Sequence, residues 1–431
     1  MWPTRRGAGL ATKRRAPHRK KNSPLHPGHR RRRVLTDREV RRRARAWLDP
    51  LLSNSFGRPF PLRTRHAVSD LILRAAAQRH SLARACARSQ RAPSERHARR
   101  VLEALGRRKT QRALTLALRH QTAPFVPPHP VDVAVDFHEI PYYGGPIDSR
   151  RPQYVKTKEE RGTHRAYRYV TLSMVVHGFR FALAAHYLDH RGRLAETLAL
   201  VFRDAERAGV AVRRVYLDRE FATYGVVAWL RERGYTAIFP LRVGSRQRKR
   251  WEKGQKSYVS EHPFRDPKRR RPPLTFRVHV VVRYQMGKRW NKHGAQYLIY
   301  GVLGHLPFEA PHDVPLRRTH DLYRRRFGIE SSYRLVGQAR ARTCSRSVPW
   351  RLLYLGVALM LENGWSILRL LYTSEGRQGP NGMVLREELL RFADLLELLF
   401  LGLCGTLGVR RETGNLKPPP PRLRQWGMTL P

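Results

Sequence analysis

Acidic residues are scarce in this sequence of 431 residues, which has 33 Asp and Glu against 86 Lys and Arg. The formal net charge is therefore +53 at pH 7. A field of that size would attract small acidic metabolites without selectivity. It is typical of a protein that binds a polyanion, more often nucleic acid than an anionic membrane surface. Hydrophobic residues make up 41% of the chain, which excludes a purely disordered basic tail.

Cysteine is also rare, and its three positions, Cys86, Cys344 and Cys404, lie far apart. Neither a disulfide framework nor a CxxC zinc site can be built from them, so a reducing cytosol is the expected compartment. The basic N-terminus is not followed by an apolar run of about 7–15 residues, so no secretory signal is expected.

Long uncharged hydrophobic runs are missing as well. The two most hydrophobic stretches, 350–372 and 395–409, are each interrupted by charged residues such as Glu362 and Glu397. A membrane span needs about 20 apolar residues with few or no charges. Both stretches therefore predict helices of a protein core, and no membrane partner is expected.

The N-terminal part of the chain divides into two predicted segments. Residues 1–36 contain no Asp or Glu and a dense HRRRR run, which predicts a disordered basic arm that contacts nucleic acid. Residues 37–128 are rich in Ala, Leu and Arg and predict a helical DNA-binding domain. Ser81 and Ser94 are candidate helix caps. Two short helices here could form a helix-turn-helix, although any arginine-rich helical hairpin has the same pattern.

Residues 129–365 predict an α/β catalytic domain. Strands at its start form a meander and then alternate with helices, which indicates a mixed sheet flanked by helices. Residues 242–304 interrupt this order with basic clusters and alternating strands, and predict a β-rich basic insertion. Residues 366–431 are expected to form a C-terminal helical segment with a Pro-rich tail.

Few carboxylates are available for chemistry, and two of them end predicted strands. Asp136 closes the strand VDVAVDF, and Asp218 closes VRRVYLD. Ligands and catalytic groups collect at strand ends in α/β sheets, and two such carboxylates could share Mg²⁺. The alternative is that each Asp only caps the following turn. Asp132 shares a strand face with Asp136 and is a competing candidate.

Three further residues lie near these positions in the sequence. Glu139 and Glu220 could support the site without binding metal. His138 could touch the metal or DNA, although a histidine beside a site is more often only a hydrogen-bond donor.

The third candidate carboxylate is Glu330, within YRRRFGIESSYR. If this segment is one continuous helix, Tyr323, Arg326, Glu330 and Arg334 lie on the same face at about 100° per residue. The arginines could form ion pairs with Glu330 on the helix surface, each worth about 0.3–0.5 kcal/mol. Alternatively, they hold phosphates while Glu330 holds the metal.

These carboxylates resemble the Asp-Asp-Glu (DDE) set of insertion-sequence transposases. The helix around Glu330 is similar to the Y-R-E-K signature of the superfamily named after insertion sequence four. Tyr323, Arg326 and Glu330 match that signature, whereas Gly337 stands where the signature has Lys.

The stretch DFHEIPYYGG at 136–145 resembles the first-Asp motif of a branch common in archaeal elements. The resemblance covers roughly 131–365, and the long interval before Glu330 is similar to that of members with a β-rich insertion.

The resemblance implies a ribonuclease-H-like fold and a DNA transposase that cleaves the ends of its element and joins the 3′ ends to target DNA. Asp136, Asp218 and Glu330 would be the catalytic residues and the ligands of two Mg²⁺ ions about 3.5–4 Å apart, which Mn²⁺ could replace. The implied partner is double-stranded DNA bound by a homodimer, so association with the nucleoid is expected. The predicted DNA contacts are Tyr323, Arg326, Arg334, Arg340 and Trp290.

The resemblance favours Trp290 over Trp251 as a DNA contact, because relatives stack an aromatic of the insertion on a displaced base. The alternative is a tryptophan that only packs. Two other functions stay open. One is a catalytically inactive DNA-binding relative, for which Gly337 leaves room. The other is a metal-dependent nuclease of the same fold that does not join strands.

Overall fold

The computed structural model describes most of the chain beyond the N-terminal arm. The described residues are 36–56, 60–89, 92–145, 153–160, 162–176, 179–189, 193–266, 270–284, 295–306, 316–326, 328–372, 374–379, 382–385 and 390–403. Residues Arg33–Pro431 fold as one unit. The basic arm predicted for 1–36 lies outside the described residues, except for Thr36, and so do the Pro-rich tail and Cys404. The two described cysteines, Cys86 and Cys344, are free thiols.

The N-terminal part is helical, as predicted. Its helices are α1 Asp37–Phe56, α2 Leu62–Ala77, α3 Leu82–Ala87, α4 Glu95–Glu103 and α5 Arg107–Thr122. Both predicted caps are confirmed. The Ser81 and Ser94 hydroxyls each accept a hydrogen bond of 3.3 Å from the backbone N–H three residues later. Such a bond satisfies one of the free N–H groups at a helix start.

A nine-stranded mixed sheet follows. Its strands are β1 Val131–Pro141, β2 Val155–Glu160, β3 Thr163–Val176, β4 Phe179–Leu188, β5 Val212–Leu217, β6 Ala237–Pro240, β7 Tyr258–Phe264, β8 Leu274–Tyr284 and β9 Ala295–Leu303. The order is β2-β3-β1-β5-β6-β9-β8-β7, and β4 also pairs with β3. Strands β1, β5 and β6 are parallel to one another, and the other pairs are antiparallel. The predicted mixed α/β sheet is confirmed, and its ribonuclease-H-like identity stays a prediction.

The two faces of β1 differ because successive side chains of a strand point to opposite sides. Val133 and Val135 pack into a core that also contains residues of α6 Leu194–Arg207 and α7 Tyr224–Glu232. Ala134 packs on the other face with Tyr323 of α9. Asp132 and Asp136 share the face of Ala134, so both candidates point away from α6 and α7.

The strands predicted in the insertion are present and extend the main sheet. Strand β9 pairs with β6, and β8 and β7 continue outward from it. A short helix, α8 Ser245–Trp251, precedes them. Trp251 is 1% exposed and packs edge-on against His262, so this tryptophan belongs to the core.

The segment around Glu330 differs from the prediction of one continuous helix. The structure has two helices, α9 Arg317–Arg324 and α10 Gly328–Ala339, with Arg325 and Arg326 in a turn between them. The predicted common helical face is therefore wrong. The physical reason lies in the tertiary structure, because the turn directs Arg326 toward the carboxylates described below.

The hydrophobic C-terminal stretches form α11 Val348–Tyr372 and α12 Phe392–Leu403, as predicted for core helices. They share one hydrophobic core with α1, α2 and α5. A small hairpin of β10 Ser374–Gly379 and β11 Gly382–Leu385 lies between them in the chain. Within the described residues, no helix is both long enough and apolar enough to cross a membrane.

Candidate active site

Asp136 and Asp218 lie side by side where the parallel pairing of β1 and β5 ends. The last pair in that register is Val135 opposite Leu217; Asp136 is the next residue of β1, and Asp218 follows the last residue of β5. The prediction that Asp136 closes its strand is wrong, because β1 continues to Pro141 through its pairing with β3. Neighbouring strands are about 4.8 Å apart, so the two carboxylates can act on one ligand. Asp136 Oδ1 accepts the Phe137 N–H at 2.8 Å. Asp218 Oδ1 accepts the Arg219 N–H at 2.6 Å.

The guanidinium of Arg326 lies between these two carboxylates. Its Nη2 donates to Asp136 Oδ2 at 2.7 Å and is 3.8 Å from Asp218 Oδ1. The Arg326 side chain is 5% exposed, whereas that of Asp218 is 35% exposed. Burial is the largest influence and acts to lower the pKa of Arg326, but the charges of Asp136 and Asp218 together with Tyr323 and Tyr333 outweigh it, so the net pKa is raised. Arg326 therefore stays positively charged and offsets the negative charge of Asp136 and Asp218.

The donor set fits an oxygen-preferring cation only in part. Two carboxylates meet where the pairing of β1 and β5 ends, and the buried Arg326 shows that this position attracts positive charge. Glu330 lies in α10, but its side chain is outside the described residues. Among the side chains that are described, no group of three His, Cys, Asp or Glu converges as a metal site. Carboxylate oxygens are the ligands Mg²⁺ prefers, so the pair suits this ion with Glu330 as the predicted third ligand.

Asp132, the competing candidate, has a structural role, because its carboxylate is buried and held by hydrogen bonds. It is 1% exposed, and its carboxylate accepts from Arg213 Nε at 2.8 Å, from Arg214 Nε at 2.9 Å and from the Tyr216 hydroxyl at 2.8 Å. Burial acts to raise the pKa of Asp132, but the hydrogen bonds from Arg214 and Arg213 outweigh it and lower the pKa. A carboxylate with these partners has little capacity left for a metal, so Asp136 is the better candidate.

Glu139 and Glu220 are joined by one arginine. Arg168 Nη1 donates to Glu220 Oε2 at 3.0 Å, and Arg168 Nη2 pairs with Glu139. The guanidinium also covers the Phe137 ring at 4.6 Å. Both glutamates therefore help to fix the position of the segment that carries Asp136.

His138 is buried beside the site and accepts a hydrogen bond from Arg340 Nη1 at 3.0 Å. Burial, aided by the charge of Arg340, lowers the pKa of His138 to about 3, so the imidazole is neutral at pH 7. Its ring meets Tyr333 edge-on at 5.2 Å. His138 thus makes a hydrogen bond beside the site, as the acceptor from Arg340 rather than as the predicted donor, because a guanidinium can only donate.

A groove of about 660 Å³ opens over the two carboxylates. Asp136 and Asp218 line one part of it, and Arg334 and Arg340 line another. Two predicted DNA contacts are thus placed in the groove. Tyr323, by contrast, is 3% exposed and packs on the Tyr300 ring.

Arg326, another predicted DNA contact, is not part of the groove lining and pairs with the carboxylates, as described above. Trp290 lies outside the described residues, so its DNA contact stays a prediction.

Arg79 also lines this groove, although it belongs to the predicted N-terminal domain. The sequence contains no signal that brings Arg79 to the carboxylates, because the contact joins residues far apart in the chain. The pairing of Arg326 with Asp136 was missed for the same reason.

No protein-family model matches this sequence, and no curated protein matches it. Among solved structures, seven chains are similar to it. One is piggyBac transposase in a cryo-EM structure of its synaptic complex with hairpin DNA, with 12% identity and a TM-score of 0.48. The similarity covers 85% of this chain and 77% of that chain. At this identity and TM-score the similarity carries no argument about activity, so the site is interpreted from its own residues.

Proposed function

We propose that this chain is a DNA transposase of the DDE type. It binds the ends of a mobile element, cleaves the DNA and joins the 3′ ends to target DNA as a homodimer. The observation that carries the proposal is the pair Asp136 and Asp218 on adjacent parallel strands, where the pairing of β1 and β5 ends, in a groove that also presents arginines. The net charge of +53 supports a nucleic-acid substrate.

In this proposal Asp136, Asp218 and Glu330 hold two divalent cations, Mg²⁺ or Mn²⁺. When bound, such cations activate a water or a 3′-hydroxyl and stabilise the leaving oxygen of an in-line displacement at phosphorus. The chain's own residues position the DNA. Arg334 and Arg340 contact phosphates along the groove, and Arg326 holds Asp136 in place beside Asp218.

A second candidate is an inactive DNA-binding relative. The observation that favours it is the ion pair between Arg326 and Asp136, which already neutralises one carboxylate. Gly337 also supports an inactive relative, because it stands where the Y-R-E-K signature has Lys. A nuclease of the same fold that does not join strands is the third possibility.

The test is a cleavage and strand-transfer assay on the gene's own locus with several hundred flanking base pairs. Wild type should cut at two terminal inverted repeats only when Mg²⁺ or Mn²⁺ is added, and should join the 3′ ends to a target plasmid. Asp218→Asn should lose cleavage and keep DNA binding, because the amide is a poor cation ligand. Asp321→Asn, at an exposed carboxylate of α9, is the matched control and should cleave normally.

The outcomes separate the three functions. Cleavage by Asp218→Asn at the wild-type rate would refute the site. Tight binding without cutting under any divalent cation indicates the inactive relative. Cutting without joining or end specificity indicates the nuclease.

A further inference from the structure

A second cavity, of about 380 Å³, lies next to the groove over the carboxylates. Arg79, Pro141 and Arg340 line both spaces, so the two are direct neighbours. The lining of the second cavity contains no Asp or Glu, and it presents Arg342 in addition to the shared arginines. The lining therefore changes from acidic side chains near the carboxylates to basic side chains in the second cavity.

Arg79 reaches this cavity in a strained backbone conformation. Its φ is +52°, and it is the one non-glycine with positive φ among the described residues. A non-glycine in this region costs about 1–2 kcal/mol. Hydrogen bonds from the Arg79 N–H to Ala76 O at 3.1 Å and from the His80 N–H to Ala75 O at 2.8 Å hold the turn in place. Strain maintained at a cavity wall is often linked to ligand binding.

Arg342 is attached to the same turn. Its N–H donates to His80 O at 2.9 Å, and it forms a parallel bridge with Ser81. The backbones that carry Arg79 and Arg342 are thus fixed to each other. Both side chains are exposed, and within the described part of the chain no carboxylate pairs with either guanidinium.

The cavity also has an aromatic wall. Tyr143 is 65% exposed, the highest value among the large hydrophobic residues that are described as exposed. Ile140 and Pro141 lie beside it in the lining. Proteins that bind single strands combine cations for the backbone with aromatic rings on which bases stack. The volume is in the range of sites for one small ligand, and a duplex does not fit.

We propose that Arg79, Arg342 and Tyr143 form a subsite for one unpaired nucleotide of DNA. Its phosphodiester lies on the two guanidiniums and its base on the Tyr143 ring, while the strand continues to the scissile phosphate at Asp136 and Asp218. The subsite rests on the proposed function, since that function makes DNA the ligand of the groove.

The test compares two DNA probes with the full chain in EDTA, where no cleavage occurs. One is a blunt duplex, and the other is the same duplex with a short single-stranded overhang. Arg342→Ala and Arg79→Gly should each weaken binding of the overhang probe roughly tenfold and lower its salt slope by about 0.7, the value for one lost single-strand phosphate contact. Binding of the blunt duplex should change less than about twofold.

The variants are chosen to preserve the fold. Glycine adopts positive φ readily, so Arg79→Gly removes the side chain without new strain. Arg79→Lys keeps the charge and should restore the salt slope. Tyr143→Ala should weaken overhang binding roughly five- to hundredfold through lost stacking, with an unchanged salt slope. Arg231→Ala, at an exposed arginine of α7, is the control and should bind both probes as wild type does.

The proposal is overturned if Arg342→Ala and Tyr143→Ala melt like wild type and keep its preference for the overhang. This result does not depend on Arg79→Gly being folded. A wild type that cleaves while these variants bind normally refutes the subsite alone. Variants that lose the overhang preference in a protein that never cleaves support the subsite and refute the transposase.

Discussion

At the scale of single residues, Glu362 is an ionisable group in a hydrophobic setting. It is 4% exposed within α11, where Ser332 of α10 donates a hydrogen bond to it and Arg180 and Arg369 lie nearby. Burial outweighs these favourable contacts and raises the pKa of Glu362 from 4.5 to about 7. The folded protein therefore keeps a proton on this carboxyl at mildly acidic pH.

This raised pKa predicts a specific pH dependence of stability. Between pH 4.5 and about 7 the unfolded chain releases the Glu362 proton while the folded chain retains it. The contribution of Glu362 to stability therefore falls as pH rises, by about 3 kcal/mol in total. Glu362→Gln cannot titrate at this position. Its free energy of unfolding minus that of wild type should therefore increase by about this amount from pH 4.5 to 8.

Urea unfolding of both proteins at several pH values measures the effect. The difference between Glu362→Gln and wild type is the relevant quantity, because it cancels the other titrating groups. A difference that is constant with pH would show that Glu362 is ionised in the folded protein.

At the scale of elements, two glycines allow α1 and α5 to approach α11 closely. A Cβ at Gly364 would lie 2.4 Å from the Trp47 ring of α1. A Cβ at Gly356 would lie 2.7 Å from Leu114 Cδ1 of α5. Helix α10 offers a contrast, since a Cβ at Gly337 would meet no atom within 4 Å.

Gly364→Ala and Gly337→Ala should therefore change stability in opposite directions. Alanine favours a helix over glycine by about 1 kcal/mol, which is the full effect expected at Gly337. At Gly364 the clash with Trp47 outweighs this gain, and we expect a net loss of about 1–2 kcal/mol. Urea denaturation of the two variants measures both values. Stabilisation by Gly364→Ala would mean that Trp47 moves aside at little cost.

The helices around Glu330 show where element prediction failed. Local pattern predicted one helix over this segment, and the structure has α9 and α10 separated by the turn at Arg325 and Arg326. Arg325 reaches Asp132 at 3.3 Å and Arg326 reaches Asp136 at 2.7 Å. Helical periodicity contains no information about such distant partners, so only the tertiary structure could reveal the break.

At the scale of the whole molecule, the charge of +53 predicts a steep salt dependence of DNA binding. Each neutralised phosphate of duplex DNA adds about 0.9 to the slope of log K against log salt. With roughly 6–10 phosphate contacts, affinity should fall at least about a thousandfold between 50 and 200 mM salt.

Titrations of a duplex at several salt concentrations measure that slope. Asp218→Asn should show the wild-type slope, because it removes a cation ligand and no phosphate contact. A flat dependence would contradict a role for the basic residues in DNA binding.

The sequence by itself determined the features that depend on local order or on summed charge. The helical N-terminal part, the capping by Ser81 and Ser94, the mixed sheet and the core helices α11 and α12 were all predicted, because periodicity, capping residues and composition act over short distances. Asp218 was recognised as a strand end for the same reason, whereas β1 continues past Asp136 to Pro141. Polyanion binding followed from the net charge alone and stays a prediction.

Only the tertiary structure decided which carboxylates lie together in the groove. Asp132 and Asp136 are alike in sequence, since both lie on one face of β1. Asp132 is surrounded by arginines, whereas Asp136 lies beside Asp218 with Arg326 between them. The entry of Arg79 into the same groove was likewise invisible in the sequence. These differences arise from contacts between residues far apart in the chain, which exist only after the sheet and its helices have packed.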